Sequence, residues 1–195
     1  MSFNLMEMVK NYFTSEFTNQ ASSTLGESSS GISKALTAII PTGLAGILTK
    51  ATSGTDGANS IFDMAKNAVS SISGNSSLTS AATTQQGSSM LSSLFGNNQS
   101  GIVSAISNFA GIKNSSASSL MSMGLPAIMG LLGKHAEQNN LSASGLSGFL
   151  SSQKDHIMNA LPSGLSSVTS LLGLGSVGAA ATSMASHVKS GVGNA

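Results

Sequence analysis

Residues 35–50, ALTAIIPTGLAGILTK, and residues 120–134, LMSMGLPAIMGLLGK, read as two versions of one helix: each is apolar, each is interrupted by a proline, and each ends at a lysine. In the first, Leu36, Ile39, Ile40, Gly43, Leu44, Ile47 and Leu48 follow the i, i+3, i+4, i+7 rule and so share a face. Thr37, Thr42, Thr49 and Lys50 fall mostly on the other. The second adds Met121, Leu125 and Met129 to a stripe of Leu120, Met123, Ala127, Ile128, Leu131 and Leu132, which predicts the most buried helix of the chain. Proline has no backbone donor and its ring collides with the carbonyl four residues back, Thr37 for Pro41, so a kink or a restart is expected there. Aligning Pro41 with Pro126 carries Leu36 onto Met121 and Ile40 onto Leu125; a one-residue gap then brings Gly46, Ile47, Leu48 and Lys50 onto Gly130, Leu131, Leu132 and Lys134. Two such copies point to a tandem of related helical units.

The flanking segments repeat in order as well. Leu5, Met8, Val9, Tyr12 and Phe13 have helical spacing, with Glu7 placed to suit the helix dipole, so a short helix is predicted over 4–13. Ser15 then reads as an N-cap for a segment carrying Phe17, Ala21 and Leu25, stopped by Gly26. Each proline helix is followed by a polar turn, 52–57 and 137–140. An amphipathic segment comes next: Ile61, Met64, Ala65, Ala68, Val69 and Ile72 after the first, and Leu146, Phe149, Leu150, Ile157, Ala160 and Leu161 after the second. Between the halves, Met90, Leu91, Leu94 and Phe95 make a short helix ended by Gly96. Ile102, Ala105, Ile106, Phe109 and Ala110 make another before Gly111, with Ser104 and Ser107 on its polar side. No stretch alternates with period two, so strands are not expected. After Pro162, Leu165, Val168, Leu171 and Leu172 give one more short helical face, and from Gly173 onward glycine raises the ordering entropy while little bulky apolar surface offsets it.

These readings divide the chain into a first helical unit over 1–74, a low-charge Ser/Thr/Gln linker with a short helix over 75–100, a second unit over 101–166, and a Gly/Ser/Ala-rich tail over 167–195. The expected fold is all-α, a compact superhelical bundle of short helices built from two related Pro-kinked units.

Composition sets the surface chemistry. Charged residues make up 8% of 195, without arginine or tryptophan, and the formal net charge is +1. An ordinary soluble domain carries roughly a quarter charged residues. Serine, threonine, asparagine and glutamine must therefore supply most of the wetted surface, and such groups create little long-range repulsion between molecules. Eight lysines spread singly from Lys10 to Lys189 form no basic stripe, which disfavours nucleic acid as a partner. The interval between Lys66 and Lys113 holds no charge at all. Cysteine is absent, which excludes disulfides and thiolate metal sites. No secretory signal is visible at the start, so a cytoplasmic location is expected. The longest apolar runs, around 39–48 and 125–133, fall short of the roughly 20 residues that span a bilayer and read as buried core.

No motif carries catalysis. Gly173, Gly175 and Gly178 spell G-x-G-x-x-G, but a dinucleotide site also needs a preceding strand and an acid about twenty residues on, and no acid follows Asp155. His135, Glu137, Asp155 and His156 are the one close grouping of metal-capable side chains, yet two are two apart on diverging helix faces and two are adjacent, unlike the i, i+4 spacing of helical metal sites. His135 is expected to interact with the free carbonyls at a helix C-terminus. No G-x-S-x-G elbow exposes a serine. The N-x-S triplets at Asn75, Asn98, Asn114 and Asn140 carry no meaning for glycosylation without a secretory signal. Catalytic, cofactor-binding and metal residues are therefore expected to be none, and the ten methionines are read as core.

The doubled proline helix, with KALTAIIPTGLAGILTKA at 34–51 and SSASSLMSMGLPAIMGLLGKHAEQNNLSASGLSGFLSSQKDHIMNALPSGLS at 115–166, resembles the YidB-like DUF937 family of bacterial proteins of unknown function, in a long version typical of Bacteroidetes-type bacteria. The resemblance covers about 1–166 and is most specific over 115–166. It implies an all-α, superhelical bundle and supplies no catalytic residues. In some relatives a similar region precedes a membrane anchor and an OmpA-like domain; neither follows here, which argues against an envelope role. The expected function is non-enzymatic self-assembly or scaffolding as a homo-oligomer. The alternative is a membrane-surface or envelope-associated module using the helix over 4–13 and the proline helices, although a lysine-rich polar face for anionic lipid is lacking.

Overall fold

A computed structural model describes residues 5–73 and 80–174, and among these the chain is all-α. The first helix, α1, spans Leu5–Tyr12, and α2 spans Ser15–Leu25. The N-cap of α2 is Thr14 rather than Ser15, and Gly26 ends it as expected, in the left-handed conformation at φ 65°. Two long helices form the centre: α3, Ser29–Ala51, and α7, Asn114–Gln138. Around them lie α4 (Thr55–Ser73), α5 (Ala81–Phe95), α6 (Gln99–Ala110), α8 (Ala143–Ser152), α9 (Lys154–Ala160) and α10 (Ser166–Leu171).

Both central helices bury unbroken runs, 38–48 in α3 and 120–130 in α7, because each is covered on several sides by amphipathic neighbours. By length and composition alone α3 and α7 could each cross a bilayer, since the helices extend well past their apolar runs; here most of that surface is buried inside the fold. Burial on all sides also corrects two expectations. Thr42, assigned to the polar face, is fully buried and its hydroxyl has no partner among the described residues. Leu131 is only half-buried, whereas Leu132 is fully enclosed.

Neither proline restarts its helix: α3 and α7 run through Pro41 and Pro126. The carbonyl that each proline leaves without its helical donor belongs to Thr37 or to Ser122. Thr37 is exposed, so water can satisfy its oxygen. Ser122 is buried, and there α5 crosses α7 so closely that a Cβ at Gly87 would overlap the Ser122 carbonyl oxygen. A Gly87 Cα hydrogen points at that oxygen instead, a weak C–H···O contact, and the Ser88 and Ser122 hydroxyls are bonded at 3.2 Å. Residues 81–95, where a linker with a short helix from Met90 to Phe95 is expected, form one longer helix packed into the core through Met90, Leu91 and Phe95; residues 75–79 lie outside the described residues. The aromatic ring of Phe95 occupies the space beside Gly46 on α3. On its other side α7 meets α4 antiparallel: Gly130 sits against Ala68 and Gly133 against Ala65, backbone to backbone.

The spacing of the two prolines, 126 minus 41, is 85, and the same offset relates much more of the chain. Adding 85 to Ser15–Leu25 and Ser29–Ala51 gives 100–110 and 114–136, nearly the bounds of α6 and α7. The burial pattern of 16–51 recurs at 101–136 in this register without a gap, so Ala51 corresponds to buried Ala136 and Lys50 to His135 rather than Lys134. The corners before α3 and α7 share their hydrogen bonds. Gly26 and Glu27 donate to the Ser22 carbonyl at 2.9 and 3.2 Å, and the Ser22 hydroxyl donates to the Glu27 carbonyl at 2.6 Å. Gly111 and Ile112 donate to the Ser107 carbonyl at 2.9 and 3.2 Å, and the Ser107 hydroxyl donates to the Ile112 carbonyl at 2.6 Å. Ser107 is therefore buried structure, not the polar surface position expected of it.

After the proline helices the halves differ. The single helix α4 corresponds to α8 and α9 together, which are separated at Gln153. Residues at the start of the expected tail still belong to the fold: Val168 on α10 is buried, and the Asn98 amide donates to the Leu171 carbonyl at 2.7 Å.

Candidate functional site

The metal-capable side chains are not brought together. Among the described residues, no group of three or more His, Cys, Asp or Glu could hold an ion. His135 near the end of α7 packs its ring on Phe149 of α8, with centroids 4.5 Å apart. The Asn139 amide lies 3.3 Å from His135 Nδ1 and donates to the His135 carbonyl at 2.8 Å, so it is the asparagine that caps the helix end there. Burial pushes the His135 imidazole below its ordinary pKa. Glu137, Asp155 and His156 are exposed. Of the glycine motif, Gly173 follows the Leu172 C-cap of α10 in the left-handed conformation at φ 70°, and Gly175 and Gly178 lie outside the described residues.

An open groove of about 660 Å³ runs between the α3–α4 turn and the start of α8. Thr52, Thr55, Asn59, Ser142, Ser144 and Ser147 supply its polar wall. Those groups can hydrogen-bond, but hydroxyls and an amide hold no proton that titrates near neutrality, so the wall offers neither a general base nor an activated nucleophile. Part of it is already used: the Ser142 hydroxyl accepts from the Gly145 amide, and the Ser147 hydroxyl donates to the Ala51 carbonyl at 3.0 Å.

The outer face of α5 presents Gln85, Ser88, Ser89, Ser92 and Ser93, all exposed and none charged. Ser88, Ser89 and Ser92 donate to the carbonyls of Thr84, Gln85 and Ser88, each four residues back. Ser151 on α8 and Thr37 on α3 do the same. A hydroxyl folded back in this way has spent its donor inside its own helix. Such a face has short side chains, little rotamer entropy to lose and few donors to strip of water when another surface approaches.

One carboxylate ties the two corners. Glu27 Oε1 accepts from the Lys113 backbone amide at 3.0 Å and from the Ser116 hydroxyl at 2.7 Å, at the N-terminus of α7. The Ser116 bond first, and the Lys113 amide second, hold its pKa below the ordinary carboxylate value of 4.5. A depressed folded-state pKa contributes stability that is complete above the unfolded value and is lost as pH falls through the folded one. Glu27→Gln is therefore expected to melt lower than the parent at pH 7, with the gap closing as the pH is lowered below about 4.3. Melting curves of both proteins across that range check it; a gap constant with pH would contradict it.

The sequence marks Gly26 and Gly111 as stops but not Glu27 or the bonding of Ser22 and Ser107, although a serine four residues before a left-handed glycine occurs at 22/26 and 107/111 with the spacing of the prolines. Against known proteins, residues 7–135 match the family described as bacterial protein of unknown function (DUF937). The match takes in α2–α3 and α6–α7 but only the beginning of the 115–166 stretch on which the resemblance was most specific. No curated protein and no solved structure matches the chain.

Proposed function

Since the chain belongs to the DUF937 family of bacterial proteins of unknown function, which hands down no activity, we propose that it is a non-enzymatic, cytoplasmic self-assembly or scaffolding protein. The observation that carries the reading is the uncharged outer face of α5, on which the hydroxyls of Ser88, Ser89 and Ser92 donate to carbonyls of their own helix. Copies meeting there lose little entropy and strip few polar groups of water, and a net charge of +1 gives them almost no mutual repulsion.

The expected result is an oligomer or larger assembly by light scattering that survives transfer from low salt to about molar salt, where the screening length is about 3 Å. Lysines placed at Ser89 and Ser92, both exposed on α5, are expected to dissociate it without lowering the melting temperature. A strictly monomeric protein at high micromolar concentration would instead favour the membrane-surface reading, tested by flotation with anionic vesicles.

A further inference from the structure

We propose that the crossing of α3 with α7 is a recognition surface between two complementary halves of the chain, and that the partner it accepts between molecules is the opposite half of a second copy. This goes beyond the self-assembly reading, since exchanged halves join two copies without using the outer face of α5.

The argument starts from which residues meet. Ile39 packs against Gly124, its Cγ2 3.6 Å from where a Cβ would stand, and Ile128 packs against Gly43, its Cδ1 3.1 Å from the corresponding point. Each pair differs by 85, so each residue touches its own equivalent. That happens only on an axis relating two copies of a unit. Away from the axis the contacts come in reciprocal pairs. Glu27 bonds Ser116, while Ile112 packs against Gly31; 27 corresponds to 112, and 31 to 116. Reciprocal contact is the signature of an isologous, twofold interface, here enclosed in one chain.

The two halves are not interchangeable in that interface. An isoleucine faces a glycine at both axis positions, in opposite order. Pairing the first half with itself would set Ile39 on Ile39 and Gly43 on Gly43, one crowded and one empty. Pairing the second with itself would set Gly124 on Gly124 and Ile128 on Ile128. Crowding and voids both cost stability, so the size pattern selects the unlike half. Every copy offers both halves. Two copies that exchange them keep each of these contacts and alter only which half each connection joins, a low-cost route to dimers and, if the rotation does not close, to filaments. Within one chain the tether gives an effective concentration on the order of millimolar, so concentrated refolding draws out the exchanged form.

The chain has no cysteine, so single engineered thiols report cleanly. A Cβ at Gly31 would lie 2.8 Å from Ile112 Cγ2, within reach of a disulfide after a small adjustment. Gly31→Cys and Ile112→Cys in one chain should close an internal bridge, which shows that both are tolerated. The two single variants, one carrying a mass tag, are then unfolded, mixed, refolded together at high concentration and oxidised. The expected product is the mixed covalent dimer, in clear excess over either same-variant dimer, because position 31 meets position 112 only where unlike halves pair, whereas like halves would set it against Glu27. Oligomers by light scattering without the mixed bridge would overturn exchange and leave self-assembly through another face standing. Same-variant bridges as abundant as mixed ones would mean that the thiols meet by random collision and would overturn exchange. A monomer at every concentration would overturn both exchange and self-assembly. Independently, Ile39→Gly combined with Gly124→Ile is expected to recover most of the melting temperature lost in either alone, and strictly additive losses would reject the complementary pairing.

Discussion

A valine at Gly87 is expected to detach α5 from α7 and destabilise the protein by more than about 3 kcal/mol. The Cβ would stand on the Ser122 carbonyl oxygen, and a backbone oxygen inside a helix cannot swing aside as a side chain can. The helices must move apart. Separation strips the Ser122 carbonyl of its contact and opens the packing of Met90, Leu91 and Phe95, all buried. The fitting control is Gly148 in α8, where nothing lies within 4 Å of an added Cβ. Gly148→Ala should stabilise by about 0.5–1 kcal/mol, because it removes backbone entropy from the unfolded chain at a helical position. Chemical denaturation of both variants beside the parent checks the pair of signs. A neutral Gly87→Val would mean that α5 does not lie on α7 as described.

Leu132→Ala is expected to cost about 2–5 kcal/mol, the range for emptying a fully enclosed leucine site. Leu132 is completely buried in α7, between Gly130 and Gly133, which hold α7 against the backbone of α4. With backbones already in contact, the surroundings have little freedom to collapse into the space left behind. Leu131, one residue earlier, is half-buried, and the same truncation there should cost clearly less. Equal losses at the two positions would show that burial differs from that described. Both variants are read by the midpoint and slope of urea unfolding, the slope reporting whether the change lies in the folded state.

The all-α class, the two central helices and the order of elements around them were legible from residue spacing, because a helix writes its buried face into the chain every three or four residues. Gly26 and Gly111 as stops were legible for a similar reason: a left-handed residue that ends a helix is a local requirement, and glycine meets it without strain. Hydroxyl-rich, nearly uncharged surface chemistry is likewise a property of composition.

Tertiary packing decided what local pattern could not. Thr42 is enclosed because α3 has neighbours on all sides over 38–48, so no polar face remains there for it to occupy. Met90, Leu91, Leu94 and Phe95 announced only the end of α5; residues 81–89 carry no large apolar group to extend it, yet Gly87 lets that part come close enough to cover Ser122. At Pro126 that crossing supplies a weak contact to the carbonyl the proline leaves free, a contact between residues 35 apart. Glu27 at the N-terminus of α7, and the reciprocal meeting of residues 85 apart, arise in the same way. Such contacts depend on where helices cross, and a crossing is set by the shapes of two surfaces together, which neither segment encodes alone.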